Sequence, residues 1–325
     1  MSVIRSAVTG VGAYLPDNVV TNSQLAETVD TSDEWIVERT GIRQRHKVAD
    51  DQPVSDLAFR AAQQALERAG KTAADVDLII VATTTPDMTF PATATIVQRK
   101  LGAPIGIAFD VQAVCSGFVY ALSVADGFVA RGHAKCALVI GAEAMTRLMD
   151  WTDRGTCVLF GDGAGAVVLE PREGQGTTAD QGVLGFALRA DGTKQELLYV
   201  DGGPSTTGTV GKLRMLGNQV FKHAVINISE AIHAAAKVAG VMVPEVDWFI
   251  PHQANQRILA GVAHRCGIDE DKVISTVALH ANTSAASIPL AWAQGIADGR
   301  IKPGQLLLLE AMGGGLTWGA CVVRL

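Results

Sequence analysis

Cys115 lies between a strand pattern and a helix pattern, where a thiol can do chemistry. The apolar residues 105–109 predict a strand, and the small residues Ser116 and Gly117 leave room beside the sulfur before a helical segment begins. A thiol at a helix N-terminus meets unpaired backbone N–H groups and the positive end of the helix dipole, and both favour the nucleophilic thiolate. A free cysteine is more commonly a small buried apolar residue, and this stretch alone favours that role.

Three later motifs carry groups that suit acyl chemistry. His252 follows an apolar strand pattern and Pro251, at the strand end where open α/β sheets place their sites. Asn282 precedes a helix of small residues, where an ordinary N-cap is the alternative interpretation. Residues 313–315 are glycines between two strand patterns, which allows backbone N–H groups to form an oxyanion hole. A thiol, an imidazole, an amide and such a hole can together attack a carbonyl and stabilise the resulting charge.

A short helix near the N-terminus combines an aromatic ring with positive charge. Thr31 and Glu34 have the spacing of a capping box, which predicts a helix capped by Thr31 and ended by Gly41. Trp35 and Arg39 share one face of this helix. Three more cationic side chains follow: Arg43, Arg45 and Lys47. The cluster suits an anionic ligand with a flat ring. A charged helix face exposed to solvent explains the same residues equally well.

Composition narrows the classes of protein to which the chain can belong. With 325 residues, 48% of them hydrophobic, it can bury a large core as one domain or as two halves. The net charge of −6 argues against general nucleic-acid binding, and no apolar run reaches the ~20 residues that span a membrane. The five cysteines form no Cys-x-x-Cys pair, which argues against a zinc site. Their odd number, without a leader sequence, predicts reduced thiols in the cytoplasm.

Strand and helix patterns alternate along the chain, so the predicted fold class is α/β. Residues 76–82 form a continuous apolar run, which is typical of a strand buried on both faces. Two of the predicted helices start at Ser55, as an N-cap, and at Pro91, in the first turn. Gly10 and Gly12 lack the third glycine of a dinucleotide-binding loop, and we interpret them as a strand that ends in a turn.

The second half of the chain repeats the pattern of the first. Residues 246–250 match residues 76–80, and Asn282 precedes its following strand at nearly the spacing found for Cys115. A polar, turn-rich segment at residues 171–182 separates the two patterns. The match between the patterns predicts a duplicated α/β unit. The two halves are then residues 1–172 and 173–325. If they pack about a pseudo-twofold axis, Cys115 and Asn282 approach one another in the centre.

Longer motifs follow one another in order along nearly the whole chain. They are Thr31-Ser-Asp-Glu-Trp-Ile36, Arg39-Thr-Gly-Ile-Arg43, Val114-Cys-Ser-Gly-Phe118, Asp153-Arg-Gly155, Phe160-Gly-Asp-Gly-Ala-Gly165, Pro251-His-Gln-Ala-Asn255, Asn282-Thr-Ser-Ala-Ala-Ser287 and Gly313-Gly-Gly-Leu-Thr-Trp-Gly319. In this combination the chain closely resembles the β-ketoacyl-acyl carrier protein synthase III family, the initiating condensing enzymes of bacterial fatty acid synthesis. The resemblance implies a thiolase-like fold, with two pseudo-twofold-related α/β halves in five layers (αβαβα), as a homodimer.

The resemblance also implies a reaction. A short acyl-CoA primer, acetyl-CoA above all, would condense with malonyl-acyl carrier protein to give β-ketoacyl-acyl carrier protein, CoA and CO2. Cys115 would carry the acyl group, and His252 and Asn282 would complete the triad. The backbone N–H groups of Cys115 and Gly314 would form the oxyanion hole. Acyl-CoA would be a substrate, and neither a metal nor a redox cofactor is implied.

Binding residues are implied in four groups. The adenine of CoA would lie between Trp35 and Arg154, with Arg39 and Thr40 near its phosphates. The pantetheine tunnel would be lined by Gly217, Phe221, Ala254 and Asn255. The acyl pocket would be shaped by Phe90, which reaches toward the partner subunit, and by Met312 and Leu316. The surface that receives acyl carrier protein would contain Lys222, Arg257 and Arg265.

The chain departs from the commoner residues of the family at Val114, Met312, Leu316 and His264, which leaves the primer size and the strength of carrier docking open. A thiolase would need a second cysteine beside the terminal glycines, where Met312 and Leu316 stand. Elongating condensing enzymes have a second histidine in place of Asn282. A condensing enzyme of polyketide or alkylquinolone synthesis shares the triad and differs only in its product. A non-enzymatic CoA-binding or carrier-binding module would have no use for the thiol.

Overall fold

Two β-sheets and the helices that cover them build the chain, which a computed structural model describes over residues 2–325. The strands are β1 (Val3–Tyr14), β2 (Val19–Thr21), β3 (Gln44–His46), β4 (Leu78–Ala82), β5 (Ile107–Val111), β6 (Ala137–Ala144), β7 (Asp162–Gly174), β8 (Gly182–Ala190), β9 (Leu198–Val200), β10 (Leu213–Met215), β11 (Trp248–Pro251), β12 (Leu306–Gly313) and β13 (Thr317–Arg324). The α-helices are α1 (Asn22–Ala26), α2 (Asp33–Thr40), α3 (Val54–Ala69), α4 (Thr93–Leu101), α5 (Gly117–Ala130), α6 (Gly217–Ala239), α7 (Gln256–Cys266), α8 (Val277–His280) and α9 (Ser287–Ala297).

The two large sheets share one topology. The first has the strand order β1-β7-β6-β4-β5, and the second has the order β8-β13-β12-β11. In both sheets two successive antiparallel pairs (β1 with β7 and β7 with β6; β8 with β13 and β13 with β12) are followed by a parallel pair (β6 with β4; β12 with β11). In the first sheet β4 also pairs in parallel with β5. An isolated parallel bridge between Phe249 and Val273 takes the place of β5 in the second sheet. The α/β prediction is confirmed, and the repeated sequence pattern corresponds to a repeated strand order.

Helices and sheets alternate in five layers. Helices α5 and α9 lie between the two sheets, where Phe118 and Trp292 are fully buried. Helices α3 and α4 cover the outer face of the first sheet, and α6 and α7 cover the outer face of the second. Because both faces of each sheet are covered, β4 is buried at every residue, as its continuous apolar run predicts.

Gly10 and Gly12 lie inside β1, so their interpretation as a turn is wrong. A Cβ atom on Gly10 would lie 2.1 Å from the carbonyl oxygen of Ala65, and a Cβ atom on Gly12 would lie 2.2 Å from that of Ala61. Both carbonyls belong to α3, which packs directly against the backbone of β1. Glycine is required here because any side chain would separate the helix from the strand.

Two helices have different N-caps from those predicted. The hydroxyl of Ser32, and not that of Thr31, caps α2 by accepting a hydrogen bond from the N–H of Trp35 at 3.1 Å. Helix α3 has Pro53 in its capping position, so Ser55 lies within the helix rather than before it. The predicted elements exist, and their starts shift because adjacent polar residues compete for the same cap.

Helix α4 begins after Pro91 and not at it. The N–H groups of Thr93 and Ala94 donate to the two carboxylate oxygens of Asp110 at 2.7 and 2.8 Å. Asp110 lies on β5, so this helix is capped by a side chain from a neighbouring strand. Such a cap leaves no mark in the sequence around the helix start, which explains the wrong prediction.

The two sheets are joined by a turn that is shorter than the predicted seam. Residues 171–174 continue β7, and the connection is confined to residues 175–181. The Asp180 carboxylate orders this turn by accepting hydrogen bonds from the N–H groups of Gln175, Gly176 and Thr177 at 2.9, 2.9 and 3.0 Å. We propose that the N-terminal and C-terminal halves meet in this turn.

Candidate active site

A cavity of about 770 Å³ contains all three members of the predicted triad in its wall. Cys115, His252 and Asn282 come from distant parts of the chain, and each is at most 6% exposed. Cys115 precedes α5 and Asn282 precedes α9, the two helices between the sheets. Their shared cavity is the arrangement that the predicted pseudo-twofold packing requires.

Cys115 lies in a single 3-10 turn, Val114–Ser116, that runs directly into α5. Val114 has a φ angle of +48°, a conformation that costs a residue other than glycine about 1–3 kcal/mol. The hydroxyl of Ser116 shares a hydrogen bond of 2.8 Å with the hydroxyl of Thr317 on β13. The backbone that presents the sulfur is therefore held in an unfavourable conformation by contacts to the second half.

Burial raises the pKa of the Cys115 thiol to about 12, and the Glu143 carboxylate adds to the rise. The nearby hydroxyl of Ser284 and the backbone N–H of Cys115 act in the opposite direction and lower the pKa. The expectation that the thiolate is favoured at neutral pH is therefore wrong, because removing the sulfur from water outweighs the effect of the helix start. The thiol needs a proton acceptor at the moment of attack.

His252 directly follows β11, as the sequence predicts. Its backbone N–H donates to the carbonyl of Glu310 on β12 at 2.8 Å, which continues the pairing of the two strands. The Nδ1 atom is buried without a hydrogen-bond partner among residues 2–325, so Nε2 is the nitrogen that faces the cavity. Burial lowers the pKa of His252 to about 3. The imidazole is therefore neutral at physiological pH and can donate one N–H.

Asn282 is fixed through its backbone and through its amide oxygen. Its N–H donates to the carbonyl of Leu159 at 2.9 Å, and its carbonyl accepts from the N–H of Gly161 at 3.0 Å. Its Oδ1 atom accepts from the N–H of Ser284 at 2.9 Å. Helix α9 begins only at Ser287, so Asn282 is not its N-cap. With the oxygen occupied, the NH2 group is the part of the side chain that can donate to a ligand.

The glycine cluster lies beside Cys115, where β12 turns into β13. A Cβ atom on Gly313 would lie 2.6 Å from the backbone nitrogen of Cys115, and a Cβ atom on Gly314 would lie 2.7 Å from the carbonyl oxygen of Leu198. Only glycine lets the end of the strand come this close. The N–H groups of Cys115 and Gly314, the predicted oxyanion hole, thus come from two backbone segments in direct contact.

Trp35 on α2 contacts two guanidinium groups. Arg39 lies 4.7 Å and Arg154 lies 5.3 Å from the centre of its ring, both within the range of cation–π interactions. The helical spacing predicts the contact with Arg39, and Gly41 ends the helix in the left-handed conformation as predicted. Arg154 comes from the loop before β7, and its Nη1 atom donates to the carbonyl of Asp30 at 2.9 Å. Arg154 therefore lies against the ring where a ligand ring would stack.

The cationic cluster after α2 does not form one surface. Arg45 is buried, and it donates to Oδ1 of Asn22 at 2.9 Å and to the carbonyl of Val158 at 2.8 Å. Lys47 instead lies 5.5 Å from the ring of Trp151. Neither residue lines the cavity. The predicted anion-binding group is thus reduced to the arginines beside Trp35.

Most of the other predicted binding residues line the same cavity. They are Arg39, Thr40, Gly217, Phe221, Lys222, Ala254, Asn255, Arg257 and Met312. Thr40 uses its hydroxyl within its own helix, where it donates to the carbonyl of Ile36 at 2.6 Å. Asn255 also caps α7, since its Oδ1 accepts from the N–H of Ile258 at 3.0 Å. Arg257 lies 6.0 Å from the ring of Phe221.

Five predicted site residues do not line this wall: Arg154 and Gly314, described above, and Phe90, Leu316 and Arg265. Phe90 is 81% exposed in the segment before α4. Leu316 is buried, and its backbone exchanges two hydrogen bonds with Asp191 at 2.8 and 3.0 Å. Arg265 is exposed in the last turn of α7. Within one chain, Met312 is therefore the predicted acyl-pocket residue that contacts the cavity, and Leu316 does not line it.

Two polar residues behind Cys115 were not predicted. The hydroxyl of Ser284 donates to Oε1 of Glu143 at 3.0 Å, and both residues are buried. The signal for Ser284 is its position two residues after Asn282. The signal for Glu143 is a carboxylate near the end of an apolar strand, where burial of a charge is costly unless it is paired or hydrogen-bonded.

Comparison with known proteins decides the family. The family model described as 3-oxoacyl-[acyl-carrier-protein (ACP)] synthase III matches residues 109–192, and the model for its C-terminal part matches residues 236–325. A β-ketoacyl-[acyl-carrier-protein] synthase III of Caulobacter vibrioides is 87% identical over 99% of this chain and 100% of its own length. The chain belongs to the β-ketoacyl-acyl carrier protein synthase III family. It is a condensing acyltransferase of fatty acid synthesis, as the resemblance implies.

Solved structures of synthase III enzymes share the fold. The enzyme from Aquifex aeolicus VF5 is 46% identical, with a TM-score of 0.92 over 98% of this chain and 100% of its own. The priming β-ketosynthase from the R1128 polyketide biosynthetic pathway is 34% identical, with a TM-score of 0.92 over 99% of this chain and 96% of its own. The predicted thiolase-like fold in five layers is confirmed.

A thiolase mechanism finds no support in the cavity of this synthase. The cysteine nearest the glycine cluster in sequence, Cys321, is fully buried in β13 among the apolar side chains between the sheets.

Within residues 2–325, no three His, Cys, Asp or Glu side chains are grouped to hold a metal ion. In the same part of the chain, none of the helices combines the length and apolar character needed to cross a membrane.

Proposed function

We propose that this synthase condenses a short acyl-CoA, acetyl-CoA first of all, with malonyl-acyl carrier protein to give β-ketoacyl-acyl carrier protein, CoA and CO2. The observation that carries the proposal is the composition of one cavity. Its wall combines a thiol, a neutral imidazole and an oriented amide with Trp35 and the exposed cations Arg39 and Arg257. A cavity of this kind can hold a long thioester whose reactive end is apolar and whose far end is anionic.

Acyl transfer to Cys115 is the first half-reaction. The thiolate attacks the thioester carbonyl, and the N–H groups of Cys115 and Gly314 donate to the oxyanion that develops. The bond to CoA then breaks, CoA leaves as a thiolate and takes a proton from water, and the sulfur of Cys115 keeps the acyl group.

Decarboxylation and condensation form the second half-reaction. Malonyl thioester loses CO2 and becomes an enolate, whose oxygen needs two hydrogen-bond donors. The neutral imidazole of His252 and the NH2 group of Asn282 supply them. The enolate carbon attacks the acyl group on Cys115, and the sulfur leaves as a thiolate. Neither a metal nor a redox cofactor takes part.

Intact-mass analysis of the purified protein after incubation with a panel of acyl-CoAs tests this proposal. An acetyl adduct that is missing from a Cys115→Ala variant is the expected result. Preferential acylation by longer primers would favour a priming enzyme of polyketide synthesis, the second candidate, to which the 34% identity with the R1128 ketosynthase points. No adduct from any acyl-CoA would contradict both candidates.

Trp35 is proposed to stack on the adenine of CoA, with Arg154 on the other face. Planar groups stack at roughly 3.5–4 Å, so a ring inserted between Trp35 and Arg154 needs these two groups to lie about 7 Å apart. The guanidinium of Arg154 now lies 5.3 Å from the centre of the Trp35 ring, so Arg154 must swing outward. Loss of about 1–2 kcal/mol of stacking in Trp35→Ala is expected to raise the KM for acetyl-CoA about tenfold. The KM for a short pantetheine thioester should stay nearly unchanged. Trp151→Ala is the matched control, and equal losses with both substrates would contradict the placement.

Arg257 and Lys222 are proposed to receive acyl carrier protein, with Arg265 further along α7. These cations are exposed, and the first two lie at the cavity wall. Electrostatic steering raises association rates by roughly 10–10³ and is screened by salt. Arg257→Glu is expected to raise the KM for malonyl-carrier at least about tenfold and to spare acetyl-CoA, whereas Arg131→Glu, on the far end of α5, changes neither. If added salt left the rate with malonyl-acyl carrier protein unchanged, these cations would not be the docking surface.

A homodimer is proposed to form through the edge of the first sheet. Among residues 2–325, β5 pairs only with β4, which leaves its other edge open. Ile105 is fully exposed, and Phe90 is 81% exposed. An open edge with large apolar side chains is a template for pairing with another chain. Light scattering should give a mass of two chains at micromolar concentration, and a monomer would contradict the proposal.

The cytoplasm is the proposed compartment of this synthase. All five cysteines are free and buried, which suits a compartment that keeps thiols reduced. Recovery of the native protein with the cytoplasmic fraction is the expected result of cell fractionation, and recovery from the periplasm would contradict it.

A further inference from the structure

Glu143 is a fully buried carboxyl group directly behind the cavity. It lies near the end of β6, and its oxygens accept hydrogen bonds from the hydroxyls of Thr84 at 3.1 Å, Thr85 at 2.7 Å and Ser284 at 3.0 Å. The N–H of Thr84 also donates to it, at 3.1 Å. These donors favour the ionised carboxylate, whereas burial raises its pKa.

Ser284 connects this carboxyl group to both the nucleophile and the amide of the triad. Its hydroxyl donates to Oε1 of Glu143, and the turn that Ser284 begins packs against the turn that carries Cys115. Its backbone N–H orients the side chain of Asn282. Ser284 has a φ angle of +49°, a conformation that few residues other than glycine adopt. One strained residue thus contacts both Glu143 and Asn282.

The structure offers His252 and Glu143 as acceptors for the thiol proton. His252 is a poor one, because burial opposes its charged form and lowers its pKa to about 3. Glu143 in its ionised form is a better one, because burial raises its pKa and protonation removes a buried charge instead of creating one. Transfer from Cys115 to Glu143 creates no new charge in the buried site and only moves the existing negative charge onto sulfur. It also removes the repulsion by which the carboxylate opposes the thiolate.

We propose that Ser284 and Glu143 form a proton relay that accepts the proton of Cys115 during acyl transfer and returns it after condensation. The inference rests on the proposed role of Cys115 as the acylated nucleophile. In this relay Ser284, from the turn packed against that of Cys115, exchanges the proton with the sulfur, and Glu143 acts only through Ser284.

The relay balances over the whole reaction. In the first half-reaction the thiol proton passes to the oxygen of Ser284 while the hydroxyl proton of Ser284 passes to Glu143. This leaves a thiolate, an intact serine and a neutral carboxylic acid. In the second half-reaction the sulfur leaves the condensed product as a thiolate, and the same protons return in the opposite direction. The free thiol and the carboxylate are thereby restored, and the proton taken up by CoA comes from water.

Few other titratable groups border this cluster. Threonines from the loop after β4 and Ser284 surround the carboxyl group of Glu143. On the cavity side, His252 is the buried titratable group, and Asp153, Arg39, Lys222 and Arg257 lie farther toward solvent. Two further buried carboxyl groups lie on other strands: Asp162 on β7, whose pKa is raised by burial, and Glu310 on β12, whose pKa is raised by burial to about 8. Loss of the pH dependence in Glu143→Gln therefore distinguishes Glu143 from these two groups.

Alkylation of Cys115 by iodoacetamide, followed from about pH 5 to about pH 10, tests the relay without any substrate. In the wild-type enzyme the rate should rise with pH until Glu143 is ionised and then level off, because internal transfer releases no proton to water. It should rise again where the thiol loses its proton to solvent. In Glu143→Gln and Ser284→Ala the plateau should be absent, and the rate should increase about tenfold per pH unit throughout. A plateau that survives in either variant overturns the relay.

Two further variants separate the relay from a structural role. Thr85→Val removes the shortest hydrogen bond to Glu143, so the pKa of the carboxyl group should rise and the plateau should begin at higher pH. Ser287→Ala is the control, because the hydroxyl of Ser287 bonds only to Thr283. An unshifted plateau in Thr85→Val, or a lost plateau in Ser287→Ala, contradicts the assignment even if the relay variants fold poorly.

Acyl incorporation gives the second readout. Loss of a proton acceptor should slow acylation of Glu143→Gln and Ser284→Ala by ~10². Release of CO2 from malonyl thioester needs no thiolate and should remain in Glu143→Gln; its loss there would contradict the relay. A wild-type enzyme that shows the plateau but accepts no acyl group would overturn the proposed nucleophile and leave the relay supported.

Discussion

Replacing His252 or Asn282 with alanine is expected to reduce CO2 release from malonyl thioester by ~10²–10³ while Cys115 still becomes acylated. Replacing Cys115 with alanine should have the opposite effect, with acylation lost and CO2 release retained. The two half-reactions use different donors. In the proposed mechanism, acyl transfer relies on the sulfur and on backbone N–H groups, whereas decarboxylation relies on the side chains of His252 and Asn282.

Backbone hydrogen bonds hold His252 and Asn282 in place, so their side chains can be removed without disturbing the backbone around them. His252 is placed by a backbone hydrogen bond to Glu310, and Asn282 by backbone hydrogen bonds to Leu159 and Gly161. An alanine at either position keeps these backbone contacts and removes only the donor. The turn that carries Cys115 does not depend on either side chain, so its oxyanion hole should survive.

Two assays on each variant measure the division of labour: incorporation of a radiolabelled acyl group and release of labelled CO2. His133→Ala, at an exposed histidine far from the cavity, is the matched control and should change neither. A folded Cys115→Ala variant without CO2 release would show that the sulfur takes part in decarboxylation. Undiminished CO2 release in Asn282→Ala would show that its amide does not.

Gly313→Ala is expected to lower acylation at least about a hundredfold, although it removes no functional group. The added Cβ atom would lie 2.6 Å from the backbone nitrogen of Cys115 and 3.0 Å from the carbonyl oxygen of Ala113. Both contacts are with backbone, so the strand end or the turn must move. Either shift misaligns the two N–H groups of the proposed oxyanion hole. Overpacking should also cost about 1–3 kcal/mol of stability.

Gly127→Ala is the control for this substitution. Gly127 lies on α5, the helix that starts behind Cys115, and its added Cβ atom would meet no atom within 4 Å. Alanine is the better helix former, so this variant should be as stable as the wild-type enzyme or more stable, with unchanged acylation. Acylation bursts and thermal unfolding of both variants provide the comparison. Wild-type acylation in Gly313→Ala would mean that the oxyanion hole lies elsewhere.

Local patterns in the sequence determined the elements and the residues that carry the chemistry. The apolar run of β4, the left-handed glycine that ends α2 and the strand that precedes His252 each depend on residues within a few positions of one another. Local signals also placed Cys115 at a turn before a helix. The helix starts were less certain, because Ser32 and Thr31 compete for one cap and because Asp110 caps α4 from another strand.

Contacts between distant segments decided the properties of the site. Glu143 and Ser284 are 141 positions apart, and only the packing of the two halves joins them behind the thiol. Arg154 reaches Trp35 from a loop that carries no signal for this contact. The sequence places a thiol at a helix start and so favours a thiolate. The folded chain reverses that preference, because the free energy of a buried charge depends on all the segments that exclude water from it.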